Sequence, residues 1–315
     1  MSSTAEQLKE LEAKAKKYII HEALQNAYEV AVELGQPLLL TGEPGTGKTL
    51  LASKVAFDLS QKEGSLFDPT VLEFNTKTTS TARDLFYTYD AISHFQTANI
   101  RRQSNEAAPE TADFIELQAL GKAIAFSNPK ASDQAFFSTK LPAKAQSSVV
   151  LIDEIDKAPR DFTNDILMEI DKFSFGIKEQ NNHQLHKSAQ QQIAVIMTSN
   201  SEKNLPDAFL RRCVFYHIPF PSDDILIKIV KSQLGEGTKY TDDALDAIIA
   251  TFNEVRANAV RKKPATAELL SWIRILELRD YLEADEKAKK TIMRQNLSVL
   301  VKTQEDWKVI HRMFE

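Results

Sequence analysis

The sequence predicts an α/β domain built on a parallel five-stranded sheet, followed by a smaller all-α domain, and three observations carry that expectation. Five short strand-like runs, the apolar Pro37–Leu40, Ser148–Ile152 and Ile193–Met197 together with Val71–Phe74 and Val214–Ile218, alternate with stretches of helical periodicity. Wholly apolar strands separated by helices mark a parallel sheet covered on both faces. Pro219 and Pro221 close that pattern, and beyond them the spacing is helical almost throughout. Glycine is scarce, 9 in 315 residues, yet Gly42, Gly45 and Gly47 crowd into one short stretch, as expected where the backbone must adopt conformations that a Cβ disfavours.

Each element has its own reason. Between Ala5 and Leu34 the apolar residues Leu8, Leu11, Tyr18, Ile19, Leu24, Tyr28 and Val32 recur at helical spacing that breaks near Tyr18, so two helices are expected, the second stopped by Gly35. The strand Pro37–Leu40 runs into the glycine cluster. After it, Leu50, Leu51, Val55, Ala56 and Leu59 line one face of a helix ending near Gly64, and Val71–Phe74 follows as the second strand. From Thr76 to Gln146 the pattern is irregular: the polar stretch Gln103–Thr111 reads as a loop or an inserted element, and a helix is expected from Phe114 to Phe126. Gly121 lies inside that helix with no turn or helix end to require it. The strand Ser148–Ile152 ends in Asp153-Glu154, a helix covers Asp161–Phe173, and the strand Ile193–Met197 ends in Thr198-Ser199-Asn200. Past the prolines, helices are expected at Ile225–Leu234, Asp242–Asn258 and Ala265–Leu282, with a helical tail over Lys287–Phe314 and a loop at Gly235 and Gly237. The boundary divides the chain into 1–220 and 221–315.

Composition narrows the function classes. Hydrophobic residues at 43% and charged residues at 26% describe a globular protein rather than a fibrous or membrane-spanning one. No run approaches 18 uncharged apolar residues, and Met1–Lys17 is rich in Glu and Lys with no apolar core of signal-peptide length. A net charge of −5 provides no global attraction for nucleic acid or anionic membrane. The single cysteine, Cys213, excludes an internal disulfide and a Cys-based zinc cluster. A cytoplasmic location without membrane insertion is the expectation.

The chemistry begins at Gly42-Glu43-Pro44-Gly45-Thr46-Gly47-Lys48-Thr49, which satisfies the G-x-x-x-x-G-K-[S/T] pattern in full and is continued by Leu50. Such a loop curls its N–H groups toward phosphate oxygens, and the helix that starts near Thr49 adds the positive end of its dipole. Lys48 reaches the β and γ phosphates in this pattern, and the Thr49 hydroxyl ligates Mg²⁺. The segment Val149–Glu154 then places Asp153 and Glu154 at the carboxyl end of a buried strand, where open α/β sheets bind ligands. Asp153 suits the magnesium site, and Glu154 is placed to polarise a water for attack on the γ phosphate. Asn200, ending the next strand, is either a turn residue or a group that positions that water. Arg211 and Arg212 are either a solvated pair or, at the edge of the domain, a finger completing a neighbouring copy's site.

Together these segments resemble the MoxR group of AAA+ ATPases: Leu40–Thr49, Leu151–Ala158, Thr198–Asn200, Leu205–Arg212, and Arg261–Trp272, which is similar to that group's lid signature. The resemblance spans about Tyr18 to Leu282. It implies a three-layer P-loop domain with an all-α lid, ATP and Mg²⁺ as ligands, and ATP hydrolysis by a ring, as a hexamer, that remodels partner proteins. Proteins with von Willebrand factor A domains are the implied partners. By the same resemblance Lys48 and Thr49 belong to Walker A, Asp153 and Glu154 to Walker B, and Asn200 to sensor 1. The arginine finger falls on Arg212, with Arg211 standing where relatives carry Asp. At sensor 2, where relatives carry Arg, this chain has Ala267, so either Lys263 takes the role or the role is missing. Tyr18 and Ile19 lie where relatives pack the adenine base, and as a pair they equally suit plain core. An insert at about 78–110 and a hairpin at about 173–192 match elements that face the pore or substrate in relatives. His183 and His186 sit in that hairpin at i, i+3 without a carboxylate or cysteine at ligand spacing, so no metal site is expected there. Two other classes compete: a DNA-associated NTPase, suggested by the basic Arg101-Arg102 and Arg261-Lys262-Lys263, and a nucleotide-gated scaffold that barely hydrolyses.

Overall fold

The computed structural model describes residues 4–201, 205–235 and 239–314; Gly237 lies outside them. Its contacts group the chain into two units. The first holds the N-terminal helices up to Lys16, Ile20–Thr41 and Lys48–His217; the second holds Lys17–Ile19, Gly42–Gly47 and the chain from Ile218 onward.

In the first unit, α1 (Thr4–Lys16) and α2 (Glu22–Leu34) lead into β1 (Leu38–Gly42), and α3 (Lys48–Ser60) leads to β2 (Phe67–Asn75). Gly35 caps α2 in the left-handed region at φ 65°. Then come β3 (Tyr87–Tyr89), α4 (Ala91–Gln103), β4 (Ile115–Leu117), α5 (Ala119–Ser127), β5 (Ser147–Asp153) and α6 (Arg160–Lys172). The hairpin of β6 (Ser174–Ile177) and β7 (His183–His186) precedes β8 (Ile193–Ser199), the short α7 (Asp207–Leu210) and β9 (Val214–Ile218).

The main sheet is five-stranded and parallel, in the order β2-β5-β8-β1-β9. All five strands fall on the strand-like runs read from the sequence, β1 starting one residue later at Leu38. β1 and β8 are buried along their whole length, because helices cover both faces. On one face Leu39, Val150, Ile152, Val195 and Met197 join Leu120 and Ile124 of α5 and Phe162 and Ile166 of α6. On the other, Leu38 and Ile196 meet Tyr28 and Ala31 of α2 and Val55 of α3. The period of two along each strand therefore sorts side chains into two apolar layers.

Two stretches differ from expectation. The helix expected from Phe114 is replaced at its start by β4, which pairs antiparallel with β3, Tyr87 opposite Leu117 and Tyr89 opposite Ile115. Ile115 and Leu117 are buried and Glu116 is exposed, a period of two that a three-residue strand displays too briefly to read. The irregular stretch at 78–110 contains α4, capped by the Asp90 carboxylate, which accepts the Ser93 N–H at 2.9 Å. None of the α4 residues is buried, and Ile92, Phe95 and Ile100 are exposed, so no apolar stripe announces the helix.

Gly121 finds its reason here. A Cβ at this position would lie 1.9 Å from the Phe86 carbonyl oxygen and 2.7 Å from its carbonyl carbon. The same Phe86 oxygen accepts the Gln118 N–H at 2.8 Å, so α5 starts in direct contact with the backbone leading into β3.

The second unit contains α8 (Asp223–Leu234), α9 (Asp242–Asn258), α10 (Thr266–Glu277), α11 (Glu286–Gln295) and α12 (Gln304–Met313). Leu226, Val230, Leu245, Ile249, Phe252, Leu269, Trp272 and Ile310 form its core. The expected tail helix is divided in two, because the Thr303 hydroxyl accepts the Asp306 N–H at 3.2 Å and starts a new helix. Asp306 itself is fully buried. Its carboxylate accepts backbone N–H groups from Val260 at 2.7 Å, Arg261 at 3.0 Å and Lys262 at 3.0 Å, and the Thr303 hydroxyl at 2.7 Å. Burial alone would raise its pKa; the amides and the hydroxyl outweigh that and hold it at about 2. Among the described residues no helix is long and apolar enough to cross a membrane.

Replacing Gly121→Ala should destabilise the first unit by about 3 kcal/mol, read as a shift of the urea unfolding midpoint with unchanged slope; parental stability would refute the close contact. Asp306→Asn should cost about 2 kcal/mol at neutral pH. Because the folded pKa lies below the ordinary 3.8, this stabilisation is complete above that value and is lost as pH falls toward 2. Unfolding curves at pH 7, 4 and 2.5 should therefore show the gap between parent and variant closing with acid.

Candidate functional site

In the first unit, register brings the strand ends level. Leu40 of β1 pairs with Thr198 of β8, and Ile152 of β5 pairs with Met197, so Asp153 and Thr198 emerge side by side. The Thr198 hydroxyl donates to Asp153 Oδ1 and accepts the Glu154 N–H at 2.9 Å. One buried hydroxyl thus orients both consecutive acidic residues. Glu154 sits in the left-handed region at φ 56°, a conformation uncommon for a non-glycine residue and frequent at functional sites. Its carboxylate pairs with the Lys157 ammonium, and that hydrogen bond raises the Lys157 pKa above its ordinary value.

α3 supplies the facing groups from its first two residues. Lys48 is buried and its Nζ donates to Asn200 Oδ1 at 3.0 Å. The Thr49 hydroxyl donates to Asp153, 3.2 Å from Oδ2 and 3.4 Å from Oδ1. Asn200 is steadied by its own N–H, which donates to Asp156 Oδ1 at 3.3 Å. Lys48, Thr49, Asp153 and Asn200, separated by up to 152 positions in sequence, therefore form one linked set. Arg211 and Arg212 stand apart from it, both exposed just after α7, and no hydrogen bond or ion pair joins either side chain to the set. His183 is occupied elsewhere: its ring stacks on Phe136 with centroids 3.7 Å apart, and its Nε2 lies 3.1 Å from Asp133 Oδ1.

In the second unit, Gly42–Gly47 makes a curled loop. Gly45 and Gly47 have φ of 80° and 84°, which L side chains rarely adopt. The Thr46 hydroxyl donates to the Glu43 carbonyl at 2.9 Å. The Tyr18 ring lies under Gly47, and Ala265 and Ala267 lie against Gly45. Glu43 Oε2 receives Arg256 Nη2 at 2.5 Å. Pro44 is exposed, Leu50 is half exposed, Ile19 is half-buried and Lys263 is exposed.

Thr198, Asp156, Lys157 and Arg256 belong to these networks and had no assigned role from sequence. Thr198 carries a faint signal, a hydroxyl interrupting an aliphatic strand next to Asn200. Arg256 carries none, since its partner lies 213 residues away.

Domain III of the replication initiation protein DnaA from Thermotoga maritima is 12% identical, over 92% of this chain and 98% of that one, with a TM-score of 0.46. The FIGL-1 AAA domain in complex with ADP is 13% identical, over 93% of this chain and 86% of that one, with a TM-score of 0.45. No curated protein matches the sequence. The family match is decisive: residues 37–213 fit the AAA domain, dynein-related subfamily, over more than half of the 315 residues, and the chain belongs to that family of nucleotide-hydrolysing ATPases.

Proposed function

We propose that the protein is a Mg²⁺-dependent, ATP-hydrolysing remodelling ATPase of the MoxR type. It works in the cytoplasm as a hexameric ring on partner proteins, those with von Willebrand factor A domains foremost. The observation that carries the catalytic part is the linked set of Lys48, Asn200, Thr49 and Asp153 at the carboxyl ends of β5 and β8.

The donor chemistry fits a magnesium–nucleotide complex. A hydroxyl and a carboxylate already in contact, Thr49 and Asp153, are hard oxygen ligands of the kind Mg²⁺ prefers, with phosphate and water filling the rest. Magnesium, when bound, neutralises charge on the β and γ phosphates. The chain's own groups divide the remaining work. Backbone amides of 42–47 cradle the phosphates. Lys48 places its ammonium against the γ phosphate. The Asn200 amide orients the attacking water, and the Glu154 carboxylate accepts its proton as the new O–P bond forms and the bond from the γ phosphorus to the β–γ bridging oxygen breaks, with ADP as the leaving group. The pairing of Glu154 with Lys157 restrains that carboxylate between turnovers. Arg212, or Arg211 beside it, reaches the γ phosphate held by a neighbouring copy. Tyr18 and Ile19 border the base, and Lys263 sits on the exposed loop before α10. In domain terms 1–220 is the catalytic α/β domain and 221–315 the lid. The insert at 78–110 and the hairpin at 173–192 face the partner protein.

Glu154→Gln should bind ATP within about threefold of the parent while losing about 100-fold or more in turnover; hydrolysis at the parental rate would refute the assignment. For the finger, Arg212→Ala should lower turnover about 1,000-fold and Arg211→Ala far less. Mixing Arg212→Ala with Lys48→Ala subunits should restore part of the activity, because hybrid interfaces regain an intact half from each; no recovery at any protein concentration would argue against catalysis in trans.

A further inference from the structure

Arg256, near the end of α9, makes three contacts within the second unit. Its Nη2 lies 2.5 Å from Glu43 Oε2, its Nη1 lies 2.6 Å from the Pro264 carbonyl oxygen, and its guanidinium stacks 3.7 Å over the Phe220 ring. The Arg256 side chain is 13% exposed and the Glu43 side chain 44%. A planar fork that satisfies two acceptors while resting on an aromatic face is something arginine can do and lysine cannot. The partner chosen is notable on electrostatic grounds. Glu43 places a carboxylate inside a loop whose amides are arranged for phosphate, and a carboxylate there repels the very ligand the loop suits. The loop is also costly to hold, with Gly45 and Gly47 at positive φ. Tyr18 packs at Gly47, and Ala265 and Ala267 pack at Gly45.

We propose that Arg256 is a positioning residue for the phosphate loop: by clamping Glu43 it holds 42–47 in its curled conformation and cancels the one negative charge in that loop. The inference rests on the reading of 42–47 as a nucleoside-triphosphate site. In this arrangement the cation beside the 42–47 loop comes from α9, while Ala267, packed 3.4 Å from the position of a Gly45 Cβ, leaves the start of α10 close against the loop.

The two roles separate experimentally. Amide hydrogen exchange without nucleotide reads the brace: Arg256→Gln and Glu43→Gln should each speed exchange across 43–47 about fivefold, and the double variant should add little to either single one. Binding of a fluorescent ATP analogue reads the charge. Arg256→Gln should weaken it about tenfold, Glu43→Gln only about threefold, and adding Glu43→Gln to Arg256→Gln should recover affinity, because the carboxylate charge that Arg256 offset is gone. A lesion that merely unfolds the helices would not be rescued from residue 43, and Glu43→Gln alone, in an accessible loop, tests the brace even if Arg256→Gln folds poorly. Unchanged loop exchange in Glu43→Gln, or no rescue in the double variant, would overturn the proposal. Failure of the unmodified protein to bind the analogue would instead overturn the nucleotide-site reading, with loop exchange still deciding whether Arg256 braces 42–47.

Discussion

The linked polar set of the first unit depends on the register between β5 and β8. Ile152 opposite Met197 puts Asp153 next to Thr198, and that single hydroxyl then fixes two carboxylate-bearing residues through one donated and one accepted bond. A slip of one residue would turn Thr198 to the other face of the sheet, because side chains alternate along a strand. The register is secured by the two apolar layers: each face is packed against helices, so slippage would exchange their residues wholesale. Core packing and site geometry are therefore the same constraint seen from two ends of the strands.

The second unit solves a related problem without a sheet. Its connecting segment between α9 and α10 has no strand neighbours to satisfy its amides, and a buried carboxylate from α12 accepts three of them instead. Just beyond, Pro264 accepts from Arg256 and Ala265 lies against Gly45. The C-terminal helix thus contributes to the order of a segment some forty residues earlier, which in turn borders the phosphate loop. Charge-assisted bonds to backbone are suited to this, being short and directional where apolar contacts are not.

What the sequence disclosed follows from what physical forces leave in it. The central strands β1, β5 and β8 were legible because buried parallel strands are continuous apolar runs, the edge strands β2 and β9 by their place between helical stretches, and the 42–49 loop because its glycines and its lysine have fixed spacing. Asp153, Glu154 and Asn200 were legible as strand ends, a position that ordered motifs reveal. The β3–β4 pair was not, since three residues give too short an alternation, and α4 was not, since it buries nothing. Gly121 was visible as an anomaly but not explicable, because its cause is the backbone of Phe86, a tertiary neighbour. Arg256 was invisible for the same reason: among the chain's 39 basic residues only geometry singles it out. Ion pairs across 213 positions leave no periodicity.

The exposure of α4 has a consequence for how this protein varies over generations. A helix with no fully buried side chain is loosely held by packing: His94, stacked on Phe114 and within 2.7 Å of the Tyr89 hydroxyl, is tied to the fold, while exposed positions such as Ile92, Phe95 and Ile100 are not. Its attachment is different: the backbone of Phe86 lies too close to Gly121 to admit even a methyl group. Sequence diversity in lineages descended from this chain should therefore pool along the exposed positions of residues 91–103 and stop at Gly121, where the Phe86 backbone leaves no room for a side chain.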